Sequence, residues 1–235
     1  MTESKTQVVL SRHWFGAGSR STVLLVVVFA LTAGTFLSWR FSHRTTRHLN
    51  PTKLTQNTEP TNTQRWLYGR GDARFTVLEY ADLECPFCRQ YFPVLRQWID
   101  LHPQVNWEWR NLPLSVHDPA ATREARLAEC AGEVGGNGAF WSAVAWIYEH
   151  TESNGSGLPA DAEIPGTSRE LQGCLASARP DAVLHAHVEA AAAEKIDATP
   201  TLRLIDHLTG KALTLYGPVE GDALLSAIDF LAVSH

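Results

Sequence analysis

The chain has 235 residues, 44% hydrophobic and 19% charged, enough for one folded domain with accessory segments rather than two full domains. Seven of its 20 Lys and Arg fall in the first 53 residues, and only Glu3 and Glu59 of its 25 acids precede residue 65. The part from Gln64 onward therefore holds 13 basic against 23 acidic side chains. That acidic balance, with no basic stripe, excludes a nucleic-acid partner, whose affinity comes largely from neutralised phosphates.

Residues 22–39 (TVLLVVVFALTAGTFLSW) carry no charge. As a helix, this run would span about 27 Å, close to the roughly 30 Å hydrocarbon core of a bilayer. Arg20 and Arg40 bracket it, and Trp39 stands where an interfacial aromatic would. The expectation is a transmembrane anchor preceded by a cytoplasmic segment over 1–21. A cleaved signal peptide is the rival, although residues 32–34 offer no clean A-x-A site. Basic residues flank the run on both sides, so charge alone does not orient it. Residues 40–64 are polar and nearly free of apolar side chains, which predicts a solvated linker.

The folded part is expected over 65–235. Residues 74–81 (RFTVLEYA) predict a strand, and 86–100 a helix with Pro at its first turn and Phe87, Tyr91, Val94, Leu95 and Trp98 on its apolar positions. Residues 105–110 alternate like a second strand. Asp118 and Pro119 signal a helix to about residue 131, and 139–149 is a further apolar-periodic segment. A loop over 151–160 precedes helices over 167–178 and 180–195. Strands over 201–205 and 212–216, joined by a turn at Thr209 and Gly210, lead into a closing helix over 220–233. This order predicts an α/β unit with a helical insertion at about 115–195.

The chemistry centres on ECPFC at 84–88, between a strand and a helix. Cys85 falls at the helix N-terminus, where unpaired N–H groups favour an anion, and the thiolate is the reactive form. Cys88 lies one turn on, placed to attack a mixed disulfide. Zinc would need further ligands, and Cys130 and Cys174 lack the spacing of a second pair. A purely structural Cys85–Cys88 bond would close too short a loop to be a useful staple. Cys130 and Cys174 read either as buried free thiols or, in an oxidising compartment, as a disulfide closing a loop of about 44 residues. The ten histidines suggest no metal site: His185 and His187 fall on different helix faces, and His117 reads as a cap or packing residue. Trp66, Trp107, Trp109, Trp141 and Trp146 read as core or as an apolar surface beside the site.

The strand VLEYADLE (77–84), CPFC (85–88), RQYFPVL (89–95), RLAECAGEVGGNGAFW (126–141) and the ATPT turn (198–201) resemble the DsbA-like branch of the thioredoxin superfamily. The resemblance implies a thioredoxin-like fold with an inserted helical domain. It implies that Cys85 is the exposed attacking sulfur and Cys88 the buried resolving one. It also implies a cis Pro200 beside the disulfide, with the Thr199 backbone offering strand-like bonds to substrate. Glu79 would be a partly buried acid relaying a proton to or from Cys88; the alternative is an exposed strand residue. Glu84 is expected to be more exposed than Glu79 and to raise the Cys85 thiol. Phe87 replaces the His of the family's strongest oxidants, which implies a weaker oxidant.

The activity so implied is thiol–disulfide exchange without a cofactor, forming disulfides in unfolded cysteine-containing proteins. A DsbB-like, quinone-linked membrane partner would reoxidise the pair. The location would be the inner membrane, single-pass, with the catalytic domain in the periplasm, or a soluble periplasmic form after signal cleavage. A reductase or isomerase kept reduced by a membrane electron donor is one alternative, and a non-catalytic thioredoxin-like binding module another.

Overall fold

The structure, a computed structural model, describes residues 65–233. The expected anchor at 22–39 and linker at 40–64 lie outside the described residues. Among the described residues no helix is long and apolar enough to cross a membrane.

The elements in order are β1 (Trp66–Tyr68), β2 (Phe75–Ala81), α1 (Pro86–Leu101), β3 (Val105–Asn111), a 3-10 turn (Ser115–His117), α2 (Ala120–His150), α3 (Arg169–Leu175), α4 (Arg179–Ala193), β4 (Thr201–Asp206), β5 (Ala212–Tyr216) and α5 (Gly221–Val233). They form one five-stranded sheet in the order β1-β3-β2-β4-β5. β2 and β3 pair in parallel through the α1 crossover; the other neighbours are antiparallel. This is the α/β architecture expected, with α2 to α4 as the insertion.

β2 is central and buried along its whole length. Its side chains alternate between two faces. Phe75, Val77 and Ala81 pack with α1, α2 and α5, in a core that also holds Cys85, Cys88, Trp107, Trp109, Phe140 and Trp141. Leu78 and Tyr80 face the other way, towards Leu112, Ala191 and Ile196. Glu79 thus points to the face that carries both cysteines.

The expected helices at 119–131 and 139–149 are both present as the two halves of α2, which meet at a break where Gly136 leaves helical geometry at φ 77° and ψ −171°. The helix predicted over 167–178 is shorter than expected, Arg169–Leu175, with Ser168 capping its start through a bond from Leu171 N–H. β1 was not anticipated. Three residues carry no period, and the strand exists because of what it meets. The Trp66 ring stacks on Phe140 at 4.6 Å, and its indole donates to Glu129 at 2.8 Å. The Asn137 amide exchanges two bonds with the Leu67 backbone, at 3.0 and 2.7 Å. A Cβ on Gly132 would lie 2.3 Å from the Trp66 ring, so only glycine admits this approach.

Candidate functional site

β2 ends at Ala81, and residues 82–84 turn the chain into α1. Asp82 builds that turn. One carboxylate oxygen accepts from Glu84 N–H at 2.8 Å; the other accepts from Leu114 N–H at 2.9 Å and from His117 Nδ1 at 2.7 Å. Its backbone oxygen accepts from Cys85 N–H at 3.1 Å and from the Tyr148 hydroxyl at 3.2 Å. Cys85 then occupies the N-cap with extended geometry, and Pro86 opens the helix, where its missing N–H costs nothing.

Both sulfurs are free thiols. Cys85 is only 3% exposed, a correction to the exposed nucleophile expected, because the turn carrying Thr199 and Pro200 packs over it. Its thiol lies 3.5 Å from the Thr199 carbonyl oxygen. The Thr199–Pro200 bond is cis and Pro200 is buried. Phe87, 59% exposed, is the open side of the motif.

Hydrogen bonding from Cys88 is the main force that brings the Cys85 thiol down to about 6, against the opposing cost of burial. Thr199 and the backbone N–H groups of Cys88 and Phe87 add to it. The helix N-terminus therefore contributes, but less than the neighbouring sulfur. Burial pushes Cys88 well above the ordinary thiol range, helped by its bond to Cys85 and the charge of Glu79. The two thiols are thus driven apart, Cys85 towards the thiolate and Cys88 towards the thiol.

Glu79 is buried beneath this pair, and its Oε2 has no hydrogen-bond partner. Burial raises its carboxyl to about 8, with repulsion from Cys85 adding and the Trp107 indole opposing. A carboxyl poised near neutrality can take the proton that Cys88 must lose when it attacks. Its raised affinity means that the folded protein holds a proton the unfolded chain has lost. That stability is complete below about pH 4.5, the carboxyl's ordinary value, and drains as pH climbs through about 8. Glu79→Gln is therefore expected to raise the melting temperature at pH 7 while slowing thiol–disulfide exchange at Cys88 by about two orders of magnitude. Scanning calorimetry beside stopped-flow thiol exchange checks both; loss of stability with unchanged exchange would contradict the relay.

Glu84 departs from expectation. It is 0% exposed, more buried than Glu79. The loop after α2 covers it: Thr151 Oγ1 donates to its Oε1, Gly157 N–H to its Oε2 at 3.0 Å, and Asn154 N–H to its backbone oxygen at 2.8 Å. It is not among the main influences on Cys85. Cys130 and Cys174 are bonded to each other across 44 residues, linking α2 to α3, so neither can complete a zinc site with Cys85 and Cys88. His187 is buried and accepts from Asn111 N–H at 3.2 Å. Burial holds it neutral, down to about 3.

Asp82, Tyr148 and Glu124 were missed as site neighbours. A signal existed for two of them. Asp82 is an acid at a strand-to-helix turn, where its side chain can bond backbone two residues on. Glu124 shares the inward α2 face with Ala120, Ala121, Leu127 and Ala128.

Residues 61–219 match the family described as Thioredoxin. The chain belongs to the thioredoxin family. Pseudomonas aeruginosa DsbA2 is 44% identical; the match covers 73% of this chain and 96% of that one, with a TM-score of 0.69. Wolbachia pipientis alpha-DsbA1 superposes at TM-score 0.58 with 18% identity, covering 72% and 92%, which supports the fold alone. The chain is thus a DsbA-like member of the superfamily. Part of it is also similar to the Na(+)/H(+) antiporter NhaA 3 of Salinispora tropica, 39% identical over 84 residues. That match takes in 36% of this chain and 12% of the antiporter, so the chain spans about an eighth of that relative's length.

Proposed function

We propose that this DsbA-like chain is an oxidase that introduces disulfides into unfolded, cysteine-containing proteins outside the cytoplasm. The observation that carries the reading is the split between the sulfurs. Cys85 is brought down to about 6 while Cys88 is driven far up. A stabilised thiolate favours the reduced enzyme, so the oxidised enzyme gives up its disulfide readily. At pH 7, a thiol at 6 instead of 9 stabilises the reduced form by roughly 1.4 kcal/mol, about 30 mV for a two-electron couple. That is a moderate oxidant, in keeping with Phe87 between the cysteines.

In the forward cycle a substrate thiolate attacks the Cys85 sulfur of the Cys85–Cys88 disulfide. Cys88 leaves and takes a proton from Glu79. A second substrate thiolate then attacks the substrate sulfur of the mixed disulfide, and Cys85 leaves as thiolate. The substrate is oxidised by two electrons and the enzyme reduced by two. The backbone beside Pro200 would hold the substrate in extended form. A DsbB-like, quinone-linked membrane protein would take the electrons away. The apolar run at 22–39 would tether the domain on the outer side of the inner membrane, or direct its export if cleaved.

Phe87 favours a second reading. Its side chain cannot donate a hydrogen bond to the thiolate, and a reductase or isomerase fed by a membrane electron donor would tolerate it. Trapping the thiols in living cells discriminates: Cys85 and Cys88 mostly oxidised is the expected result, and a mostly reduced pair would overturn the oxidase.

A further inference from the structure

Among the buried acids that the cycle does not use, Glu124 stands out. Glu124, on the first half of α2, is 3% exposed, and neither of its carboxylate oxygens has a hydrogen-bond donor. The groups that act on it most are the carboxyl of Glu84, fully enclosed and directly before Cys85, and that of Asp82, with the Thr151 hydroxyl, which donates to Glu84, opposing them. Two ionised carboxylates in one dry space repel strongly, and a buried acceptor with no donor is costly. A single proton removes both faults. Protonated, Glu124 becomes a donor to Glu84. Glu84 keeps accepting from Thr151 and Gly157.

What Glu84 holds is a loop that would not keep its shape alone. Ser153, Asn154, Gly155 and Gly157 all have φ between 56° and 83°, and Ser153 and Asn154 are not glycines. Such backbone persists only where its surroundings fix it. The fixing contacts come from the active-site turn and helix. Glu84 takes Asn154 N–H, Gly157 N–H and the Thr151 hydroxyl, while Arg89 donates to the Thr151 oxygen at 2.8 Å and to Ser153 Oγ at 3.5 Å. Glu124 lies against the same loop; a Cβ on Gly157 would be 4.0 Å from its Oε1.

We propose that Glu84 and Glu124 share one proton, and that this acid pair is the latch holding the 151–157 loop of the helical insertion against the residue that precedes the nucleophile. Glu84 and Glu124 are then positioning residues for Cys85, acting through the backbone of the turn. The charged and titratable groups around the pair are Asp82, paired with His117; Arg89 from α1; Arg123, whose guanidinium is beside Gly157; and Arg126, which lines the same cavity as Glu124. Burial first, then the Glu84 charge, raises Glu124 to about 9, so the latch keeps its proton through the neutral range. The folded chain binds this proton where the unfolded chain does not. Its stabilisation is therefore lost as pH rises from about 4.5 through about 9.

The latch matters to catalysis only if Cys85 is the attacking sulfur, yet its own test reads stability and amide exchange, so either can fail alone. The full chain is compared with Glu124→Gln, Glu124→Ala and Glu84→Gln. Glu124→Gln keeps a donor and cannot ionise. Its melting temperature should fall less than that of the parent between pH 6 and 9, by roughly 4 °C or more. The Asn154 and Gly157 amides should stay protected in Glu124→Gln and exchange at least about tenfold faster in Glu124→Ala. If Glu124→Ala does not fold, Glu84→Gln decides, since removing the facing charge must reduce the pH dependence, though less than Glu124→Gln does because burial still raises Glu124. An unchanged pH dependence in Glu124→Gln or Glu84→Gln, or amide exchange in Glu124→Gln as fast as in Glu124→Ala, would overturn the shared proton.

Discussion

Cys85→Ser is expected to reduce disulfide transfer to the uncatalysed rate while leaving the fold intact. The hydroxyl does not ionise near neutrality and forms no bond to sulfur, so neither the internal disulfide nor the mixed disulfide can exist. Packing changes little, because the position is small, enclosed by Thr199 and the α1 N-terminus, and already polar. Cys88 cannot substitute, being 1% exposed and held protonated by burial. Oxidation of a reduced model protein, followed by its recovered activity, checks the loss. Turnover retained above about a tenth of the parental rate would show that Cys85 is not the attacking sulfur.

Removing the second cysteine pair should act on stability instead. The Cys130–Cys174 bond closes a loop of 44 residues, which restricts the unfolded chain by about 4 kcal/mol on the chain-entropy account. Both sulfurs are buried in the main core, so Cys130→Ala with Cys174→Ala avoids leaving an unpaired polar group there. For a domain of this size the loss corresponds to a fall in melting temperature of roughly 8–16 °C. Thiol transfer measured well below that melting point should stay within about twofold of the parent, because the bond joins α2 to α3 away from the turn at Asp82. A stable double variant without activity would place this pair in the chemistry rather than in the fold.

Much of the fold was legible because its signals are local. Residues 74–81 and 105–110 combine β-branched and aromatic side chains, and the structure forms strands there to within a residue. Pro86 marks the first turn of α1, and Thr209 with Gly210 the turn between β4 and β5. The CPFC pair was legible for the same reason: a strand, a turn and a helix within about 25 residues dictate where the two cysteines stand. What failed was anything set by a distant segment. β1 is defined by Phe140, Gly132 and Asn137, some 65–75 residues away in the chain. Glu84 was expected to be more exposed than Glu79 because its neighbours at 82 and 85 say nothing of the loop at 151–157 that covers it. Cys85 was expected to be open for the same reason, its cover arriving from Thr199 and Pro200. Glu124 carries a pattern signal, an acid on an apolar helix face, but the pattern cannot say that a second carboxyl waits on the other side.

The account rests on Cys85 being the ionised sulfur of a reduced pair whose other member stays protonated. The direct measurement is the ultraviolet thiolate absorbance of the reduced protein as a function of pH, with Cys85→Ser as reference. A single step near pH 6 that vanishes in the variant, with no second step below about pH 9, is the expected result. A step at or above pH 8.5, or one that survives in Cys85→Ser, would contradict it.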